Sequence, residues 1–149
     1  MNILNPNKYV RIGLISAIET RLPAIPVWYK TLPLDEVPIP LKYILLDAQT
    51  KNQTVISKST TEKGIDFEWL TTIDINTYSL KDFGFSDADD VDDMEQEILS
   101  IVTTGFTIPN FDTKDVRIIE SQDLSTQTQT NSIDRKLLKI EIWLNNTSA

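Results

Sequence analysis

The stretch Asp66–Tyr78, DFEWLTTIDINTY, constrains the fold more than any other part of the chain. Phe67, Trp69, Thr71, Ile73, Ile75 and Thr77 occupy its odd positions. Asp66, Glu68, Leu70, Thr72, Asp74 and Asn76 occupy the even ones. Successive strand side chains point to opposite faces, so this alternation predicts one long strand with a buried odd face and a solvated even face. Residues 135–144, RKLLKIEIWL, repeat the pattern, with Leu138, Ile140, Ile142 and Leu144 on one face.

Two segments carry the helical period instead. In residues 5–22 the apolar positions Tyr9, Val10, Gly13, Leu14, Ala17 and Ile18 form one stripe. Asn5 is placed to cap that helix, Pro6 suits its first turn, and Pro23 ends it. Gly13 and Ala17, four apart, leave room for another backbone to come close. The second helix is expected over Val91–Thr104, capped by Asp89 or Asp90, with Val91, Met94, Ile98, Leu99, Ile101 and Val102 inward and Gly105 as its stop. Further strands are expected at Val27–Tyr29, Pro40–Asp47 and Val116–Glu120. Residues 48–65, rich in Thr, Ser and Lys, read as a long polar arm or hairpin. A polar Gln/Thr-rich turn is expected at 121–134.

The resulting order, α-β-β-(arm)-β-α-β-β, predicts a single α+β domain over residues 1–149. It is a two-layer sandwich: a mostly antiparallel sheet of four to five strands with both helices on one face. The expected core gathers Leu14, Ile18, Trp69, Ile73, Ile75, Ile98, Val102, Ile140 and Ile142.

Composition narrows the chemistry. The chain has no His and no Cys, so the commonest general base, the commonest metal ligand and the thiolate are all missing. Four Gly leave little from which to build a phosphate-cradling loop, and no nucleotide-binding or nucleophile-elbow motif occurs. Seven acids lie between Asp87 and Glu97. A calcium loop counted from Asp87 would need Gly at its sixth position and Glu at its twelfth, where Asp92 and Ile98 stand. The run reads as an acid-rich helix start, favoured there by the helix dipole. No catalytic, cofactor-binding or metal-ligating residue is expected. The chain is not expected to be an enzyme or to carry a cofactor.

A net charge of −8 argues against phosphate contacts with free nucleic acid or with an anionic membrane. No apolar run approaches the roughly 18 residues of a membrane span, and no sorting signal is visible.

The segments that leave the sheet point instead to protein contacts. Lys30–Pro40, KTLPLDEVPIP, places Leu32, Leu34, Val37 and Ile39 in a proline-bearing loop, where a free subunit would expose them. Val55 and Ile56 are the apolar residues of the arm. These six are the candidate interface residues. The alternative to self-assembly is an acidic α+β module that binds another protein.

The order of elements also carries a resemblance. An amphipathic helix, a short strand with Val27-Trp28-Tyr29, a proline loop ending in PIPLKYILLD, a polar arm, the strand WLTTIDINTYS, a second helix and a terminal hairpin follow one another over nearly the whole chain. In outline this resembles the tail terminator, tail-completion and neck-ring proteins of tailed bacteriophages. The resemblance implies a virion structural protein, made in the host cytoplasm, that forms a homo-oligomeric ring in the head–tail connector or tail. Its expected neighbours are connector, portal-side or tail-tube proteins. DNA would only pass through the lumen, without sequence-specific binding, and no membrane is involved.

This reading makes the 30–40 loop a ring contact. Replacing Leu34 and Val37 together with Asp is expected to leave the subunit folded, because neither belongs to the expected core. The oligomer should be lost in light scattering; normal assembly of the double variant would remove the loop from the interface.

Overall fold

The computed structural model describes residues 4–31, 40–57, 66–82, 88–127 and 131–146. It has an α+β architecture with two helices and an open, mostly antiparallel sheet. The elements in chain order are α1 (Pro6–Arg21), β1 (Val27–Tyr29), β2 (Lys42–Ser57), β3 (Asp66–Asp82), α2 (Ala88–Thr104), β4 (Phe111–Asp123), β5 (Thr126–Gln127) and β6 (Asn131–Asn146). Across the sheet the order is β1-β2-β3-β6-β4, with the two-residue β5 paired to β6. All pairings are antiparallel except β1 with β2. No described helix is long and apolar enough to cross a membrane.

β3 and β6 form the centre. Their register sets Ile73 opposite Ile140, Ile75 opposite Leu138 and Thr71 opposite Ile142. All six side chains are buried under the helices together with Leu14, Ile18, Ile44, Leu46 and Ile98. Thr71 can join this apolar row because its hydroxyl donates to the Ile142 carbonyl at 3.1 Å, which satisfies the buried group. Trp69 and Val102, expected in the core, are only partly buried against it.

α1 begins and ends as its residues dictate. Asn5 Oδ1 accepts from the Asn7 amide at 3.1 Å, Pro6 takes the first turn, and the Leu22 amide closes on the Ile18 carbonyl at 2.8 Å. Val10, Leu14 and Ile18 are fully buried. A Cβ on Gly13 would lie 2.4 Å from the Thr107 carbonyl oxygen, so the backbone after α2 packs directly on α1 there. Gly105, at φ +86°, turns the chain out of α2, and its amide bonds the Ile101 carbonyl at 2.8 Å.

Several expected boundaries move. The polar stretch read as an arm from residue 48 is strand as far as Ser57, paired with β3 down to Ser57–Asp66. The remainder of the expected arm, 58–65, lies outside the described residues. A register shift between Asp47 and Gln49 explains why the strand was hidden. Before the shift Ile44 and Leu46 face the helices; after it Gln49 and Lys51 do, and an apolar alternation ends. β4 extends well beyond Val116–Glu120, and strand occupies most of the expected 121–134 turn, with only 128–130 outside the description. α2 starts at Ala88, so Asp89 and Asp90 sit inside it rather than capping it.

Two substitutions test this packing by chemical denaturation. Ile73→Ala should cost about 2–5 kcal/mol, as expected for a fully buried side chain that leaves a cavity. Gly13→Ala gains up to ~1 kcal/mol of helix propensity but forces a contact with a backbone oxygen, which typically costs about 1–3 kcal/mol. The net effect should be destabilising. A stabilised Gly13→Ala variant would mean that α1 and the 105–107 turn are not in contact.

Candidate interaction surface

The helices cover one sheet face and leave the other open. Side chains of that open face form cross-strand rows. At one end Tyr43 stacks on Tyr78, with centroids 4.7 Å apart and 14° between planes, and Trp28 packs tilted on Tyr43 at 6.1 Å. The Arg135 guanidinium lies 5.3 Å from the Tyr78 centroid and donates from Nε and Nη2 to Asn76 Oδ1, at 3.2 and 2.9 Å. This row joins β1, β2, β3 and β6. Burial pushes both phenols up from their ordinary value, so they stay neutral and act as stacked walls, Tyr43 buried and Tyr78 partly so.

In the next row Lys139 lies 3.7 Å from Asp74 and 3.9 Å from Glu120, bridging β3, β6 and β4. Burial raises the Asp74 carboxyl and Lys139 works against that shift. Farther along, Thr50 and Thr72 share a hydroxyl hydrogen bond at 2.5 Å, and Lys114 pairs with Glu68. The even face of β3 was expected to be solvated. It is half-covered instead, because long basic side chains from β4 and β6 lie across Glu68, Asp74 and Asn76. Glu68 has Lys114, and Asp74 and Glu120 share Lys139, so the strands are tied together across this face by their own charges.

α2 is fastened to the sheet at its acidic start. Asp90 receives Lys42 at 3.1 Å on Oδ1, and Lys81 at 3.0 Å and Ser79 Oγ at 3.2 Å on Oδ2. The Lys81 hydrogen bond, with help from Lys42, holds the Asp90 carboxyl below its usual value. The acid run thus supplies a clamp across β2, β3 and α2, an arrangement that capping logic alone does not reveal. Among the described residues no group of three or more His, Cys, Asp or Glu is placed to hold a metal ion.

An open groove of about 300 Å³ runs between α1 and the end of α2, lined by Ser16, Ala17, Thr20, Thr104 and Thr107 beside Gly13. The Thr20 and Thr104 hydroxyls donate back to the Ser16 and Ser100 carbonyls, at 2.8 and 2.7 Å. Arg21 is held by Glu97 at 2.9 Å. Two of the groove's hydroxyls are therefore committed to their own helices.

The sheet edges are less complete. β1 pairs only with Ile44–Leu46, so among the described residues β2 has no neighbour on that side from Asp47 onward. β4 is the opposite edge. It is 13 residues long, and its outer side also has no described partner. Ile118 and Ile119 in β4 are 41% and 48% exposed, an apolar pair on an edge strand. Of the interface residues expected from sequence, Leu32, Leu34, Val37 and Ile39 lie outside the described residues. Val55 and Ile56 belong to β2 by backbone, opposite Glu68 and Phe67, and their side chains lie outside the description.

No protein-family model matches the chain, and no curated protein matches it. One solved structure aligns over 91% of this chain and 94% of its own, at 12% identity and a TM-score of 0.47, a likeness that carries no argument about function.

The Asp90 clamp gives a pH test. A carboxylate whose folded pKa lies below its ordinary 3.8 contributes full stability above that value and loses it as the pH falls toward the folded pKa. Asp90→Asn should lower stability at neutral pH. The gap to the wild type should close as the pH falls below about 4. A gap that stays constant down to strongly acidic pH would mean the carboxylate charge is not what holds α2.

Proposed function

We propose that this chain is a virion structural subunit that assembles with its own copies into a ring in the head–tail connector or tail of a tailed bacteriophage. The observation that carries the reading is the sheet itself. One face is sealed by two helices, the other is knitted by matched charges, and two long edges remain without described partners. Such a subunit is built to be continued laterally rather than to enclose a substrate.

The overall order of elements, which resembles the tail terminator and neck-ring proteins, points the same way. So does the charge. A ring of subunits each carrying −8 would present DNA with a repulsive wall, and a repulsive lumen lets the polymer slide. On this reading the chain does no chemistry. It is made in the host cytoplasm, joins the virion, and meets connector, portal-side or tail-tube proteins above and below. A ring needs a heterologous contact, in which two different patches of the subunit meet, because a self-complementary patch closes at a dimer.

The test is the mass of the purified protein in solution together with quantitative proteomics of the parent particles. A closed oligomer, and presence in particles at a fixed multiple of the ring's subunit number, is the expected result. A stable monomer that no particle contains would overturn the proposal in favour of a non-viral binding module.

A further inference from the structure

Resting on the ring reading, we infer that the ring closes by strand addition: the outer edge of β4 in one copy pairs antiparallel, in the next copy, with the edge of β2 that no other described residue of the subunit pairs. Strand direction makes this possible. β2 and β6 run one way, β3 and β4 the other, because each neighbour along β2-β3-β6-β4 is antiparallel. When identical sheets follow one another around an axis along the strands, β4 of one copy therefore meets β2 of the next in the antiparallel sense. Both edges, which lack a partner strand among the described residues, then gain a ladder.

Charge selects this partner over the competing one. β4 carries four acids, Asp112, Asp115, Glu120 and Asp123, against two bases, Lys114 and Arg117, a balance of −2. Pairing β4 with a second β4 would oppose two such strands. The β2 edge, residues 47–57, carries one acid and one base, Asp47 and Lys51, and is neutral. An acidic strand beside a neutral one that offers a lysine is the better match.

The register shifts confine the ladder. β2 shifts at Asp47/Gln49 and Gln53/Val55, and β4 at Thr113/Asp115 and Ile118/Glu120. Regular strand suited to pairing is left at 49–53 and 115–118. The bulges bend each edge away beyond those spans, which discourages open-ended stacking of edges. Ile118, at the end of its span, and Ile119, in the adjoining shift, are exposed in the free subunit and would lie beside the neighbour's β2.

The chain has no natural cysteine, which makes the test direct. Asn52→Cys on β2 and Ile119→Cys on β4 are mixed and treated with a short bis-maleimide; Ile12→Cys, on the exposed side of α1, is the control. The expected product is the 52–119 cross-link, in excess of every 52–52, 119–119 and Ile12 product, and the double-cysteine chain should link into a closed oligomer. Independently, Ile118→Lys with Ile119→Lys should weaken assembly roughly tenfold or more in dissociation constant, with the subunit's melting temperature unchanged. A dominant 119–119 product would replace the inference with a β4–β4 dimer. Oligomers of normal mass with no 52–119 link, and normal assembly of the lysine variant, would overturn edge pairing while leaving the ring reading standing. Monomers at every concentration would overturn both.

Discussion

The ladder between β3 and β6 is the interaction on which the rest of the structure depends. Ile73, Ile75, Ile140 and Ile142 are fully buried on its helix face, with no side-chain polarity among them. Leu14 and Ile18 of α1 and Ile98 of α2 complete that cluster. Burial of each such side chain is worth about 1.5–3 kcal/mol relative to exposure, far more than any surface ion pair in this molecule. The helices are held because this face must be covered. The sheet extends outward from the same pair, β2 on one side and β4 on the other.

Both central strands were legible in the sequence because nothing interrupts their alternation. The helices were legible because their stripes coincide with real caps at Asn5 and Gly105. The second half of β2 was not. Its register shift changes which parity faces the helices, and the inward positions after the shift are polar. Gln49 donates to the Asn7 carbonyl at 2.9 Å and Lys51 reaches Asn5 Oδ1 at 3.0 Å, so these residues support the start of α1 instead of filling a core. A hydrophobic pattern cannot report a strand whose buried side is a polar cap. β4 was under-read for a related reason: as an edge strand it is exposed along most of its length, and its sequence resembles a loop.

The candidate interface shows the same limit more sharply. Apolar residues in a proline-bearing loop can be seen in a sequence. An unpartnered edge cannot, because being an edge is a property of the strand order. Ile118 and Ile119 look like core residues of any strand until β4 is found at the end of the sheet. Asp90 is a similar case: its place in an acid run suggests a cap, whereas its partners lie on two strands, Lys81 at the nearby end of β3 and Lys42 far back in the sequence at the start of β2.

On the proposed assembly, the two sheet edges that no described strand covers complete one another between copies. Hydrogen–deuterium exchange on the free subunit and on the assembled protein tests that claim most directly. Backbone amides in 49–53 and 115–118 should gain protection on assembly, while those at the centre of β3 and β6 are already protected in the free subunit. Assemblies in which both edge segments exchange as fast as in the free subunit would contradict it.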